Sequence, residues 1–152
     1  MARKILFDLD GTVADLYGTE NWLELLLNET KGLFRNLKVM HDKSRLNSIV
    51  DQLIENGDTV EVVTWTPKNV SREYINIVEQ EKIEWVKEHL PQIEKIHCLD
   101  YGTAKQKANF QKVKELILVD DNSEVNQMWD TPKQRKSILA DENLLNNLQA
   151  LL

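Results

Sequence analysis

Two carboxylates stand two residues apart, directly after a short apolar run near the start of the chain. Asp8 and Asp10 follow residues 4–7 and precede Gly11. Alternation along a strand predicts that both side chains point to the same side, where they repel each other unless a cation or a proton intervenes. With Mg²⁺ between them, Asp8 would serve as a nucleophile and a protonated Asp10 as a general acid. The alternative is a simple turn, in which Asp and Gly are common.

A second acidic pair, Asp120 and Asp121, follows the apolar run 116–119. Four carboxylates at two strand ends would repel one another strongly unless a cation neutralised them. Oxygen ligands of this kind suit Mg²⁺. The sequence therefore predicts one magnesium site that involves Asp8, Asp10, Asp120 and Asp121.

Candidate contacts to a substrate follow two other apolar runs. Thr64 ends the run 60–64, where its hydroxyl can hydrogen-bond a phosphoryl oxygen, and Trp65 lies next to it. Lys105 stands at the start of a predicted helix, where its ammonium and the free backbone N–H groups favour an anion. Taken alone, a strand-terminal threonine is unremarkable and a single lysine is usually solvated surface.

The elements that must position these residues alternate along the chain. Short apolar runs predict strands at residues 4–7, 60–64, 93–99, 116–119 and 137–139. Apolar stripes predict helices at 44–57, 73–90 and 142–152, with shorter pieces at 104–113 and 123–130. Strands that alternate with helices favour a mostly parallel sheet covered on both faces. We therefore expect an α/β fold, a three-layer Rossmann-like sandwich around a five-stranded sheet.

Two details of these helices are specific enough to test. Ser44 is the expected N-cap of the helix at 44–57. In the helix at 73–90 the expected buried stripe consists of Ile75, Val78, Ile83, Val86 and Leu90.

The length and net charge of the chain limit the functions that it can have. The chain of 152 residues fits one domain, residues 1–152, and its formal net charge of −6 disfavours nonspecific binding to nucleic acid. No apolar run approaches the roughly 20 residues that cross a bilayer, and no signal peptide is legible. These features predict a cytoplasmic protein without membrane contact; we leave open whether it forms a homo-oligomer.

The order of these motifs resembles that of the haloacid dehalogenase-like phosphatases. The resemblance rests on Asp8-Leu9-Asp10-Gly11-Thr12, then Thr64, Lys105 and Asp120-Asp121. It implies that Asp8 is the nucleophile, that Asp10 is the general acid and base, and that the Asp10 main-chain carbonyl binds magnesium.

For the other motifs, the resemblance implies that Thr64 holds the phosphoryl group and that Asp121 binds the metal directly while Asp120 supports it. Lys105 is our choice for the lysine that steadies nucleophile and phosphate, with Lys107 close enough to be the alternative.

Specificity in this superfamily usually comes from an inserted cap, and here only residues 13–43 are available for one. So short a cap resembles the small deoxyribonucleotidase-like branch. Trp22 in this segment, like Trp65, either stacks on a nucleobase or is core. The stretch is also rich in cations that could gather a phosphate-rich ligand or simply be solvated: Lys31, Arg35, Lys38, Lys43 and Arg45.

These observations predict a magnesium-dependent phosphomonoester hydrolase that acts on a small phosphorylated metabolite, with a nucleoside 5′-monophosphate as first choice. The second choice is a phosphatase that acts on polynucleotide ends, motivated by the short, basic cap. A third hypothesis is a binding or regulatory protein that keeps the fold without useful turnover.

Overall fold

The computed structural model describes residues 3–108, 115–130 and 135–152. Within these ranges five strands form a single sheet: β1 (Arg3–Phe7), β2 (Thr59–Trp65), β3 (Ile96–Leu99), β4 (Glu115–Asp120) and β5 (Arg135–Leu139). Their order across the sheet is β3-β2-β1-β4-β5, and every neighbouring pair is parallel. The predicted five-stranded parallel sheet is therefore confirmed.

Helices cover both faces of this sheet. They are α1 (Trp22–Leu27), α2 (Lys43–Glu55), α3 (Arg72–His89), α4 (Ser123–Trp129) and α5 (Leu144–Gln149). The buried side chains of α2, α3 and α5 pack in one core cluster with Ile5 and Phe7, whereas Trp129 of α4 packs with Leu6 and Leu118 in a second cluster. The three-layer, Rossmann-like α/β sandwich is confirmed. No helix in the described ranges is long and apolar enough to span a membrane.

Strand β1 lies at the centre of the sheet because its residues are apolar on both faces. Ile5, Leu6 and Phe7 are fully buried, as expected for a parallel strand between two helical layers. Phe7 pairs with Val62 of β2 on one side and with Val119 of β4 on the other. This register brings the carboxyl ends of β1, β2 and β4 to one edge of the sheet.

The predicted boundaries were wrong in three places. Helix α2 begins after Asp42, whose side chain accepts a hydrogen bond from Arg45 N at 3.1 Å, so Asp42 rather than Ser44 is the N-cap. Strand β3 begins only at Ile96, because a turn precedes it in which Ile93 N donates to the Leu90 carbonyl. Where a helix was predicted at 104–113, the structure has a single 3₁₀ turn at Lys105–Lys107. The part of that prediction from residue 109 on lies outside the described ranges.

Helix α3 buries only part of the stripe expected: Val78, Val86 and Leu90 are buried. Ile75 and Ile83, placed on the buried stripe from the sequence, are only half-buried. The buried side chains of the helix include two charged ones: Tyr74, Val78, Glu81, Lys82, Trp85 and Val86.

Those charged side chains pack against the segment that joins β1 to α2, residues 8–42, which we call the β1–α2 connection. The Glu81 carboxylate accepts hydrogen bonds from the backbone N–H groups of Gly32, Phe34 and Arg35. The indole N–H of Trp85 donates to the Leu37 carbonyl at 2.8 Å. Helix α3 therefore fixes the later half of the connection by hydrogen bonds to its backbone.

Candidate active site

Three carboxylates meet where β1 and β4 end side by side. Asp8 directly follows β1, and Asp120 and Asp121 lie at the end of β4; one oxygen of each lies within 4.8 Å of the others. Asp8 N donates to the Val119 carbonyl at 2.9 Å, which fixes the two strand ends together. The strands that follow β1 in the chain, β2 and β3, lie on one side of this pair, and the strand that follows β4, β5, lies on the other. The crevice at such a change of direction is the usual ligand site of open α/β sheets.

Lys105 lies between two members of this acidic cluster. Its Nζ is 3.1 Å from Asp8 Oδ1 and forms a second ion pair with Asp120 Oδ2. Burial disfavours the ammonium, but the two carboxylates outweigh it and raise the pKa of Lys105 above its ordinary value. The structure thus places Lys105 where the sequence motif puts the lysine, while the side chain of Lys107 lies outside the described part of the chain.

The loop after β1 packs directly against the loop after β4. Gly11 has φ +80°, and a Cβ there would lie 2.5 Å from Asp121 Oδ2, so any side chain at this position would be strained and would displace Asp121. Thr12 Oγ1 accepts a hydrogen bond from Asp121 N at 3.1 Å and lies 3.3 Å from Asp8 Oδ2. Thr12 therefore joins the two acidic loops, a role to which the sequence analysis assigned no residue.

Asp10 is paired with a different lysine from the one that contacts Asp8. Its Oδ2 accepts a hydrogen bond from Nζ of Lys82, at 2.8 Å, and its side chain is not part of the acidic cluster of Asp8, Asp120 and Asp121. Strand β1 ends at Phe7, so the alternation of side chains expected from the sequence does not extend to Asp10. Burial raises the pKa of the Asp10 carboxyl above its ordinary value, against the opposing pull of the Lys82 ammonium.

Lys82 is the main residue that the sequence analysis missed. Its side chain is 2% exposed, and its Nζ also donates to Thr64 Oγ1 at 2.8 Å and to the Trp65 carbonyl at 3.0 Å. The available signal was its spacing, because Lys82 follows Tyr74 and Val78 at intervals of four residues on one helical stripe. A charged residue on a buried stripe needs a partner, and here the partners lie at the strand ends.

The acidic cluster fits a hard divalent cation. Burial, and after it the neighbouring Asp8 and Asp120 carboxylates, raise the pKa of Asp121 to about 7, so a cation bound here would stabilise its ionised form. Both oxygens of Asp120 already accept hydrogen bonds, from Lys105 and from Asn122 N. The oxygen-only donor set suits Mg²⁺, with Asp8 and Asp121 as the carboxylates better placed to bind it directly.

Thr64 and Trp65 lie at the end of β2, next to the acidic cluster. Thr64 is 1% exposed, and the indole N–H of Trp65 donates to the Thr103 carbonyl at 2.7 Å. The Trp65 ring lies 5.1 Å from the ring of Tyr101, and Nζ of Lys105 lies 5.3 Å from the Trp65 ring centroid. Trp65 therefore stands between the cluster and an exposed tyrosine.

A cavity of about 280 Å³ opens above these strand ends. Asp8, Asp10, Thr64, Lys105, Asp120 and Asp121 all line it. Its other wall belongs to the β1–α2 connection, where Tyr17 and Trp22 stack edge to face with ring centroids 5.1 Å apart. Every candidate site residue from the sequence thus borders one cavity, with aromatic pairs on two of its sides.

The basic residues of the connection and of early α2 lie elsewhere. Arg35 pairs with Glu84 and Glu88 on α3. Arg45 donates to the side chains of Asn146 and Gln149. The cations that line the cavity are instead Lys68 and Lys105, within the described ranges.

Comparison with known proteins identifies a structural relative. No protein-family model matches the sequence, and no curated protein sequence matches it. Among solved structures, D,D-heptose 1,7-bisphosphate phosphatase from Burkholderia thailandensis is similar, with a TM-score of 0.57 and 10% sequence identity over 98% of this chain and 97% of that one. The chain therefore has the fold of a known phosphatase, and at this identity the likeness extends to the fold alone.

Proposed function

We propose that this chain is a magnesium-dependent phosphomonoester hydrolase that works through an aspartyl-phosphate at Asp8. The placement of Asp8 carries the proposal. Its carboxylate lines the cavity, contacts Lys105 at 3.1 Å and shares an oxygen cluster with Asp121. A carboxylate held between an ammonium and a cation site can approach a phosphate dianion, which an isolated carboxylate would repel.

In the first step, an oxygen of Asp8 attacks the phosphorus atom and the bond to the leaving oxygen breaks. The leaving alkoxide takes a proton from Asp10, which lines the same cavity and whose raised pKa favours the protonated form. Thr64 and Lys105 hydrogen-bond the oxygens of the transferring group, because phosphoryl transfer depends mainly on positioning and charge stabilisation.

In the second step, water attacks the phosphorus atom of the aspartyl-phosphate. Asp10, now a carboxylate, accepts the proton of that water, and the bond between phosphorus and Asp8 breaks. Inorganic phosphate leaves and both aspartates return to their starting protonation states. Asp8 therefore carries the phosphoryl group while Asp10 carries the proton, and each carboxylate is paired with its own lysine, Asp8 with Lys105 and Asp10 with Lys82.

Asp8, Asp121 and the main-chain carbonyl of Asp10 would hold the Mg²⁺ ion, with Asp120 as support. When bound, the ion supplies positive charge that screens the substrate phosphate from the acidic cluster. The raised pKa of Asp121 supports this assignment, since a bound cation would offset both the burial and the repulsion from Asp8 and Asp120 that raise it.

For the substrate we propose a nucleoside 5′-monophosphate. The leaving group would occupy the cavity between the Tyr17–Trp22 pair and the Trp65–Tyr101 pair, where a planar ring can stack. Nζ of Lys68 lies 4.7 Å from the Tyr101 ring and can contact polar groups at the mouth. Arg35 and Arg45, two of the cations expected to recruit a polynucleotide, lie against α3 and α5, which favours the mononucleotide over a polynucleotide end.

A panel of phosphomonoesters assayed with Mg²⁺ and with a chelator tests this function. The panel contains nucleoside 5′-monophosphates, an end-phosphorylated oligonucleotide and a sugar phosphate, the last because the structural relative is named for a heptose bisphosphate. We expect turnover that requires Mg²⁺ and is fastest on a nucleoside 5′-monophosphate. Equal rates with chelator contradict the metal dependence, and inactivity on the whole panel contradicts the hydrolase.

A further inference from the structure

The buried Lys82 ammonium has three hydrogen-bond partners. They are Asp10 Oδ2 at 2.8 Å, Thr64 Oγ1 at 2.8 Å and the Trp65 carbonyl at 3.0 Å. An ammonium has three N–H donors and no acceptor. All of its donors are therefore used, two of them on residues to which the proposed mechanism gives a role.

The contact to Thr64 fixes the direction of its hydroxyl. Because Lys82 can only donate, Thr64 Oγ1 must accept in this hydrogen bond, and the hydroxyl hydrogen must point elsewhere. Within the described ranges the structure contains no acceptor for that hydrogen. Thr64 lines the cavity, so its hydroxyl is left to donate to a group bound there.

The contact to Asp10 likewise distinguishes its two oxygens. Lys82 donates to Oδ2, which therefore faces the ammonium. Asp10 Oδ1 is buried and has no hydrogen-bond partner among the described residues. The carboxyl lines the cavity and is held there by its Oδ2 contact.

Surrounding contacts hold Lys82 in place. Nζ lies 5.1 Å from the ring centroid of Phe34, which belongs to the β1–α2 connection. Glu81, one residue before Lys82, accepts hydrogen bonds from the backbone of that connection, and Trp85, one turn later, donates to the Leu37 carbonyl. The same face of α3 thus packs the connection over the ammonium and excludes water from it.

We propose that Lys82 is a positioning residue that sets both the general acid and the phosphate donor of the site. By holding Asp10 Oδ2 it fixes the carboxyl of the general acid at the cavity, and by donating to Thr64 it directs the threonine hydroxyl at the phosphoryl group. This inference rests on the proposed hydrolase function. Loss of Lys82 should therefore have two separable effects. Loss of the Asp10 contact changes kcat (the Asp10 effect), and loss of the Thr64 contact changes substrate binding (the Thr64 effect).

Lys82→Met, assayed on an alkyl and an aryl phosphate, tests the Asp10 effect. A nucleoside 5′-monophosphate needs a proton on its leaving oxygen, whereas 4-nitrophenyl phosphate does not. General acid catalysis contributes on the order of 10²- to 10⁴-fold. We therefore expect kcat to fall at least roughly 10²-fold on the nucleotide and far less on the aryl ester. Equal losses on both substrates would overturn the Asp10 effect.

A double-mutant cycle with Asp10→Asn tests whether Lys82 acts through Asp10. In the Asp10→Asn background, Lys82→Met should change kcat by less than about threefold, while KM rises roughly five- to tenfold through the lost Thr64 orientation. The double variant carries neither of the two buried charges, so it stays informative where Lys82→Met alone does not fold. A further large loss of kcat in the double variant would contradict the inference.

Lys4→Met provides the matched control. Lys4 is also a buried lysine, paired with Glu61 at 2.9 Å, but it lies at the opposite end of β1 from the site. Its replacement should lower the melting temperature without changing the ratio of alkyl to aryl rates. A similar change of ratio in Lys4→Met would show that the ratio reports only general destabilisation.

The proposed function and this inference fail in different ways. A wild-type protein that is inactive on the whole panel contradicts the hydrolase. The inference is then decided by a crystal structure of Lys82→Met, in which Asp10 and Thr64 should leave their wild-type positions. Unchanged positions of both side chains would overturn it, whatever the activity.

Discussion

The candidate site has two buried lysines, one on each side, and they act on different groups. We call Lys105, Asp8 and Asp120 the Lys105 side, and Lys82, Asp10 and Thr64 the Lys82 side. Lys105 lies among the carboxylates at the ends of β1 and β4, next to the candidate metal site. Lys82 reaches the strand ends from a helix and contacts one carboxylate and one hydroxyl.

In the proposed mechanism, this difference lets one loop present two aspartates for two tasks. Asp8 is held by Lys105 within a cluster that suits a cation, so its carboxylate stays available for attack. Asp10, two residues later, lies outside that cluster and is buried, so its pKa is raised. Pairs of titratable groups in unlike environments are typical of acid and nucleophile assignments.

The largest expected effect is that of Asp8→Asn, which acts on the Lys105 side. Turnover should fall by more than about 10⁴-fold, because the amide cannot attack phosphorus. The melting temperature should not fall, since the change keeps the side-chain shape and relieves repulsion from Asp120 and Asp121. Thermal unfolding and the phosphatase assay measure both quantities, and near-normal activity would contradict the aspartyl-phosphate route.

Asp58→Asn is the matched control for this variant. Asp58 is a buried aspartate at the amino end of β2, where it pairs with Arg3 at 2.6 Å, far from the cavity. Its replacement should lower the melting temperature and preserve kcat, the reverse of the result expected for Asp8→Asn. The two variants together separate a catalytic carboxylate from a structural one.

Lys105→Met compares the two sides directly. Lys105 contacts the nucleophile and the proposed phosphoryl site, so its loss should lower kcat/KM on the order of 10²- to 10³-fold for alkyl and aryl phosphates alike. Lys82→Met should instead affect alkyl phosphates more. The ratio of alkyl to aryl rates in both variants measures this, and the same ratio for both would remove the distinction between the sides.

The smallest expected effect concerns stability and pH. The pKa of Asp121, raised to about 7, means that the metal-free folded state binds a proton which the unfolded state has lost. This contribution to stability is present at acidic pH and disappears as the pH rises through about 7. Mg²⁺ needs the carboxylate, so it should bind more tightly and raise the melting temperature more at about pH 8 than at about pH 5.5.

Thermal shifts with and without Mg²⁺ at the two pH values check this. Asp121→Asn should lose most of the Mg²⁺ effect, whereas Asp100→Asn, a change to an exposed acid at the end of β3, should keep it. A stabilisation by Mg²⁺ that is independent of pH, or unchanged in Asp121→Asn, would argue against Asp121 as a ligand.

The Lys105 side was accessible from the sequence because its residues follow apolar strands. An apolar strand that ends in acids, such as β4 with Asp120 at its end, indicates that those acids lie at the carboxyl edge of a parallel sheet. The order of the motifs then placed Lys105 with them. The sheet, its parallel strands and the short connection after β1 were predictable for the same reason.

Lys82 itself was not found, although Asp10 and Thr64 were, because its contacts depend on how α3 is rotated against the sheet. The sequence put Ile75 and Ile83 on the buried stripe, which leaves Lys82 at its margin, whereas the structure buries Tyr74, Val78 and Lys82 together. Hydrophobic spacing alone did not give the rotation, since α3 has apolar residues on more than one face. What fixes it is the set of hydrogen bonds that the Glu81 carboxylate accepts from backbone N–H groups of the β1–α2 connection, which join distant parts of the chain.

A crystal structure with Mg²⁺ and beryllofluoride, a mimic of the aspartyl-phosphate, tests the central claim most directly. We predict beryllium bonded to a carboxylate oxygen of Asp8, with Mg²⁺ held by Asp8, Asp121 and the Asp10 carbonyl at about 2.0–2.1 Å. Thr64 and Lys105 should contact the fluorides, while Lys82 keeps its contacts to Asp10 and Thr64. A mimic bound away from Asp8, or a metal at a distant site, would contradict the account.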